Sequence, residues 1–109
     1  MLGGNFMNDE EILRINSPKD SCGGPFIVVS KNETHRWAIV ALEWEGEPTL
    51  GIRWFWSQMG TPSSRGNATW FIIPSELHNA ILNGIPLDFK FRDKINRFLS
   101  GEINGNQLK

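Results

Sequence analysis

At Pro74 the hydrophobic pattern of this chain changes period, and that change limits what it can fold into. Upstream, apolar residues fall in short β-branched and aromatic runs separated by turn residues. Downstream, Leu77, Ala80, Ile81 and Gly84 stand at i, i+3, i+4 and i+7, the spacing of one helix face. A length of 109 residues permits one domain with a modest core. Strands first and helices after predict an α+β fold.

Four strands are expected. Residues 26–30 form a short β-branched run, and the polar residues 31–35 read as its turn. Residues 36–44 make a longer strand, apolar on both faces for most of its length. After a turn at 45–49 come a third strand at 50–57 and a long loop from Gln58 to Asn67, and then a fourth strand at 68–73. The short turns make the first three strands an antiparallel meander. Pro74 suits the first turn of the helix that follows, and Gly84 and Pro86 suit its exit. A second helix is expected over 88–99, with Leu87, Phe91, Ile95, Phe98 and Leu99 as its apolar stripe. Lys90, Lys94 and Arg97 form a basic stripe on another face, and the tail to Lys109 reads as frayed.

Residues 1–24 read as an arm and linker. Within them residues 9–15 have helical character, capped by Asn8 or Asp9. The predicted division is therefore an arm (1–24), a β-β-β-β-α domain with a curved four-stranded antiparallel sheet (25–85), and a C-terminal helical extension with its tail (86–109).

All five tryptophans lie between Trp37 and Trp70, and there is no tyrosine. So small a core does not readily accommodate five indoles and their N–H groups, which predicts that some face a partner. The net charge of −1 excludes a global cationic field for nucleic acid, so any basic patch is local. Binding an unpaired strand needs flat faces for the bases, each worth about 1–3 kcal/mol, and cations along the backbone.

In strand 50–57, Gly51, Arg53, Phe55 and Ser57 alternate with Leu50, Ile52, Trp54 and Trp56. Taking Ile52 as the core side puts Arg53 and Phe55 together on an open face. Trp56 sits at the strand end, where a bulge can re-aim it. Either Phe55 or Trp56 is then the stacking ring beside Arg53. Trp44, at a hairpin end, is a further stacking candidate. Arg65, in the Gly/Ser loop, is a candidate phosphate clamp, and Lys31 and Arg36 bracket the first turn. Trp54 and Trp70 read as core residues, and Trp37 as structural or at a dimer contact.

Catalysis is not expected. His35 and His78 are isolated from other metal-ligating residue types, and His78 reads as a surface residue. No nucleophile elbow, HExxH or phosphate-cradling glycine loop occurs. Neither a metal nor a small-molecule cofactor is predicted. The single Cys22 excludes an internal disulfide, fits a reducing cytoplasm and reads as a spectator. No segment reads as a secretory signal or a membrane span.

Residues 36 to about 82 resemble the single-stranded-DNA-binding transcriptional coactivator family known as positive cofactor four, including its small bacterial members. The segments that carry the likeness are Arg36-Trp-Ala-Ile-Val-Ala-Leu-Glu-Trp-Glu-Gly-Glu, Gly51-Ile-Arg-Trp-Phe-Trp, and Ser64-Arg-Gly-Asn-Ala-Thr-Trp-Phe-Ile-Ile-Pro-Ser-Glu-Leu. They match a strand ending in an aromatic before a glycine turn, an Ile-Arg-x-aromatic strand, a basic glycine-containing loop and a helix opened by Pro or Ser. Gly51 stands where the family carries aspartate. The resemblance implies a homodimer packed through its helices that binds single-stranded DNA with little sequence preference, in transcription or genome maintenance. It favours Arg53 with Trp56 as contacts. RNA binding uses the same physics. The alternative is a protein-interaction module on the same fold, for which the acidic hairpin Glu43, Glu45 and Glu47 speaks.

Overall fold

The computed structural model describes residues 7–56 and 59–109. Its first element is α1 (Asp9–Leu13), capped by Asn8, whose side chain accepts from the Glu11 amide while the Glu11 carboxylate accepts from the Asn8 amide. The strands β1 (Cys22–Asn32), β2 (Trp37–Trp44) and β3 (Glu47–Trp54) follow as an antiparallel meander. Glu45 and Gly46 join β2 to β3, both with φ above zero, as the twist of a tight two-residue hairpin requires. A small hairpin, β4 (Ser63–Ser64) and β5 (Asn67–Ala68), precedes β6 (Phe71–Ile73), which completes a four-stranded sheet in the order β1-β2-β3-β6. A 3₁₀ turn at Ser75–Leu77 leads into α2 (His78–Gly84). Then come α3 (Phe89–Leu99), capped by Asp88, and a final 3₁₀ turn at Gly105–Leu108. The fold is α+β with a four-stranded antiparallel sheet and helices.

Strand alternation sends the side chains of β2 to two separate cores. Ile39 and Ala41 pack with Leu50, Ile73, Leu82, Ile95 and Phe98 under α2 and α3. Ala38, Val40 and Leu42 pack on the opposite side with Ile12, Phe55 and Trp70. The sheet is thus the middle of three layers, with Trp54 and Phe71 on the helix side left partly exposed.

Apart from α2, the outer layers are made by segments that the sequence reads as peripheral. The arm is docked: Ile12 of α1 is fully buried, and Cys22–Gly24 belong to β1, so the boundary at residue 24 falls inside a strand. The C-terminal extension is core as well, through Ile95, Phe98 and Leu108. The tail is not frayed. Asn104 and Gln107 cap the last turn reciprocally, and Gly105 lies so close to the Phe26 ring that a Cβ there would come within 2.3 Å of it. His78 is buried rather than on the surface. Its Nε2 lies 2.9 Å from the Ile73 carbonyl, to which it donates, and 3.2 Å from Thr49 Oγ1. Cys22 is buried, and loss of solvation pushes its thiol up from the usual range, which disfavours the reactive thiolate.

Trp70 explains the absence of a side chain at position 51. A Cβ on Gly51 would meet Leu42 Cδ2 at 3.0 Å and Trp70 Cβ at 3.1 Å. The indole instead lies across the β3 backbone, and its Nε1 donates to the Ile15 carbonyl at 2.7 Å. Thr69 Oγ1 donates to the Ser17 carbonyl at 2.6 Å. These two bonds latch the arm to the sheet. The strand expected over 68–73 is split, Ala68 belonging to β5 and Phe71–Ile73 to β6, because the Thr69 amide donates to the Pro62 carbonyl and the Thr69 carbonyl accepts from Arg53. Ile12→Ala should cost roughly 2–5 kcal/mol, the range for a large-to-small change at a fully buried aliphatic site. Urea unfolding checks it; a detached arm would keep the change within about 0.5 kcal/mol.

Candidate nucleic-acid interface

The alternation of β3 places Arg53 opposite Ala38, on the face that the arm covers. Its side chain is 0% exposed. Nη1 donates to the Pro62 carbonyl at 3.0 Å and to the Thr69 carbonyl, and Nη2 donates to the Met59 carbonyl. The guanidinium carbon stands 5.2 Å from the Phe55 ring centroid. Arg53 and Phe55 are therefore neighbours, as the alternation implies, but both are enclosed, Phe55 being 6% exposed. The expectation that they share an open face is corrected, because the arm and Trp70 close that face. Ser57, assigned to the same face, lies outside the described residues. Burial pushes the Arg53 guanidinium below its ordinary value.

What reaches the surface is a rim at this end of the sheet. Trp56 is 53% exposed, and the Arg36 guanidinium carbon stands 5.7 Å from its ring centroid, within the roughly 6 Å reach of a cation–π contact. Arg36 is tied to the strand end in both directions. Its Nε donates to the Phe55 carbonyl at 3.2 Å, and its own carbonyl accepts from the Phe55 amide at 2.8 Å. Trp54 continues as a backbone bridge to Thr61. Contrary to its core assignment, Trp54 is 37% exposed.

Arg65 lies at the tip of the β4–β5 hairpin with Gly66, both at positive φ, so its exposed side chain leaves the turn toward solvent. Gly66 and Asn67 of this hairpin share a cavity wall with Arg36 and Phe55. Arg36, Trp56 and the Arg65 hairpin thus belong to one end of the molecule. The hairpin was legible as Arg65-Gly66 between Ser64 and Asn67, although residues 58–67 read as a plain loop.

Of two further predicted contacts, Trp44 is not brought to this rim, and Lys31 lies at the rim end of β1, opposite Ala38, with its ammonium turned to the arm. Trp44 is half-buried at the opposite end of β2, seven residues from Trp37, or roughly 23 Å at strand rise. Lys31 pairs with Asp9 of α1 at 2.9 Å and helps seat the arm. Two cations of the basic stripe on α3 are similarly occupied, while Lys90 is exposed. Arg97 pairs with Asp93 at 3.0 Å and Glu102 at 3.6 Å, and Lys94 reaches the Leu108 carbonyl. Among the described residues no cluster of metal-ligating side chains occurs, and no helix is long and apolar enough to cross a membrane.

Comparison of the chain with protein-family models, curated proteins and solved structures gives no match.

Lysine cannot reproduce the planar fork that spans three carbonyls. Hydrogen bonds to a charged donor contribute about 1.5–3 kcal/mol each, so Arg53→Lys should destabilise the fold by at least about 2 kcal/mol in denaturant unfolding. Exposed Arg65→Ala should change stability by less than about 0.5 kcal/mol. Equal small effects would contradict a structural role for Arg53.

Proposed function

We propose that the protein is a non-catalytic single-stranded nucleic-acid-binding homodimer of the positive-cofactor-four type, with DNA as its ligand. The observation that carries this reading is the exposed Trp56 indole with the Arg36 guanidinium on its ring. It pairs a stacking face with a cation, the two components that sequence-tolerant strand binding uses. Arg65 on its hairpin adds a second cation at the same end. The interface is the strand end and its hairpin, rather than the sheet face. Such a protein acts in transcription or genome maintenance, and the lone buried thiol suits a cytoplasmic setting.

The dimer reading has support of its own. Phe71 on edge strand β6 is 50% exposed, and Leu77, in the turn that follows, is 49% exposed. They give a second copy an apolar contact next to α2. Sedimentation of the full chain should report a dimer and Phe71→Glu a monomer; a wild-type monomer at about 100 μM would contradict this.

Fluorescence anisotropy with labelled oligo-dT at low salt tests the binding reading. Binding should weaken steeply as salt rises. Trp56→Ala should cost about 1–3 kcal/mol, and Arg65→Ala should lower the salt slope by about one unit. No anisotropy change at micromolar protein would reject the proposal. It would leave the alternative, a protein-interaction module, which the exposed Phe71 and Leu77 favour.

A further inference from the structure

Beside the Arg36–Trp56 pair lies a cavity of about 510 Å³, inside the roughly 300–1,000 Å³ range of small-ligand sites. Ile15, Phe55 and Met59 give it apolar wall, and Arg36, Arg53 and Asn67 give it polar wall. The chain carries 12 acidic residues, yet none of the described wall residues is Asp or Glu.

Arg53 makes this charge imbalance unusual. Among the described residues no carboxylate lies within ion-pair distance of its guanidinium, whose hydrogen-bond partners are carbonyl dipoles. Its Nε is buried and has no hydrogen-bond partner among the described residues. A buried cation is normally matched by an anion. Here its field is screened little by solvent and extends into the adjoining cavity. Arg36, on the same wall, adds to it.

We propose that this cavity binds a small organic anion, a carboxylate or phosphate monoester carried on a flat apolar body. The body packs between Ile15, Phe55 and Met59, and the anionic group lies toward Arg36 and Arg53. The electrostatic attraction acts through the wall and does not need Arg53 to be exposed. The cavity shares Arg36 and the β4–β5 hairpin with the strand-binding reading, but its own argument stands on the buried Arg53 and the acid-free wall, not on the outer face of Trp56.

Isothermal titration of the full chain tests it with four probes: 2-naphthoate, neutral 2-naphthalenemethanol, thymidine 5′-monophosphate and neutral thymidine. At least one anion should bind with one-to-one stoichiometry, about tenfold or more tighter than its neutral counterpart. Binding of the naphthoate alone identifies a carboxylate site, and binding of the nucleotide alone a phosphate site. Asn67→Asp, an exposed position, adds a carboxylate to the wall. It should weaken anion binding by about fivefold or more while leaving the melting temperature of the unliganded protein unchanged within about 2 °C. The proposal is overturned if neither anion saturates the protein by about 5 mM, if neutral probes bind equally well, or if Asn67→Asp leaves anion affinity unchanged. If Asn67→Asp shifts the melting temperature, Ala68→Leu, which narrows the same cavity, takes its place with the same expected loss.

Discussion

One buried guanidinium organises one end of this molecule. Arg53 holds carbonyls at positions 59, 62 and 69 from a single side chain, so a segment of eleven residues is gathered onto β3. Taking that charge out of water costs several kcal/mol, and the carbonyl dipoles and the Phe55 ring offset the cost without an acidic partner. The consequences spread from there. Gripping the Thr69 carbonyl brings Thr69 and Trp70 over the sheet, where they bond to Ser17 and Ile15 and seat the arm. Gripping Met59 and Pro62 sets the base of the hairpin whose tip carries Arg65.

The same interaction helps an arm of modest hydrophobicity to cover one face of a small sheet. Gly51 leaves space for the Trp70 indole, and the arm then supplies Ile12 over Val40 and Leu42. On the other side α2, α3 and the last turn form a conventional amphipathic cover. The arm-side face is thereby covered, and Arg36 and Trp56 emerge at the strand end.

Much of the fold was legible in the sequence. The meander, the helix start after Pro74 and the 88–99 helix all follow from local period and turn chemistry, which are short-range signals. The arm was harder to read, because its packing depends on long-range bonds from Thr69 and Trp70 that no local pattern encodes. One sign was present: residues 37–42 are apolar at every position, the pattern of a strand buried on both sides. Taken at face value, it removes the open face on which Arg53 was expected to bind. The candidate site divides along the same line. Trp56, Arg36 and Arg65 sit at strand ends and turns, where exposure follows from position. Arg53 and Phe55 sit mid-sheet, where exposure depends on what the rest of the chain does. Buried arginines are rare enough that composition alone argues for exposure, and here the partners are backbone groups that a sequence does not display.

We propose that strand binding occurs at the rim and that the arm-covered face of the sheet stays closed. The indole N–H resonances of the five tryptophans, followed by NMR while the full chain is titrated with oligo-dT, test it most directly. The Trp56 resonance should shift, and the Trp70 resonance, held by the Ile15 carbonyl, should stay in place. A Trp70 shift as large as that of Trp56 would mean that the arm lifts and the covered face binds, which contradicts the account.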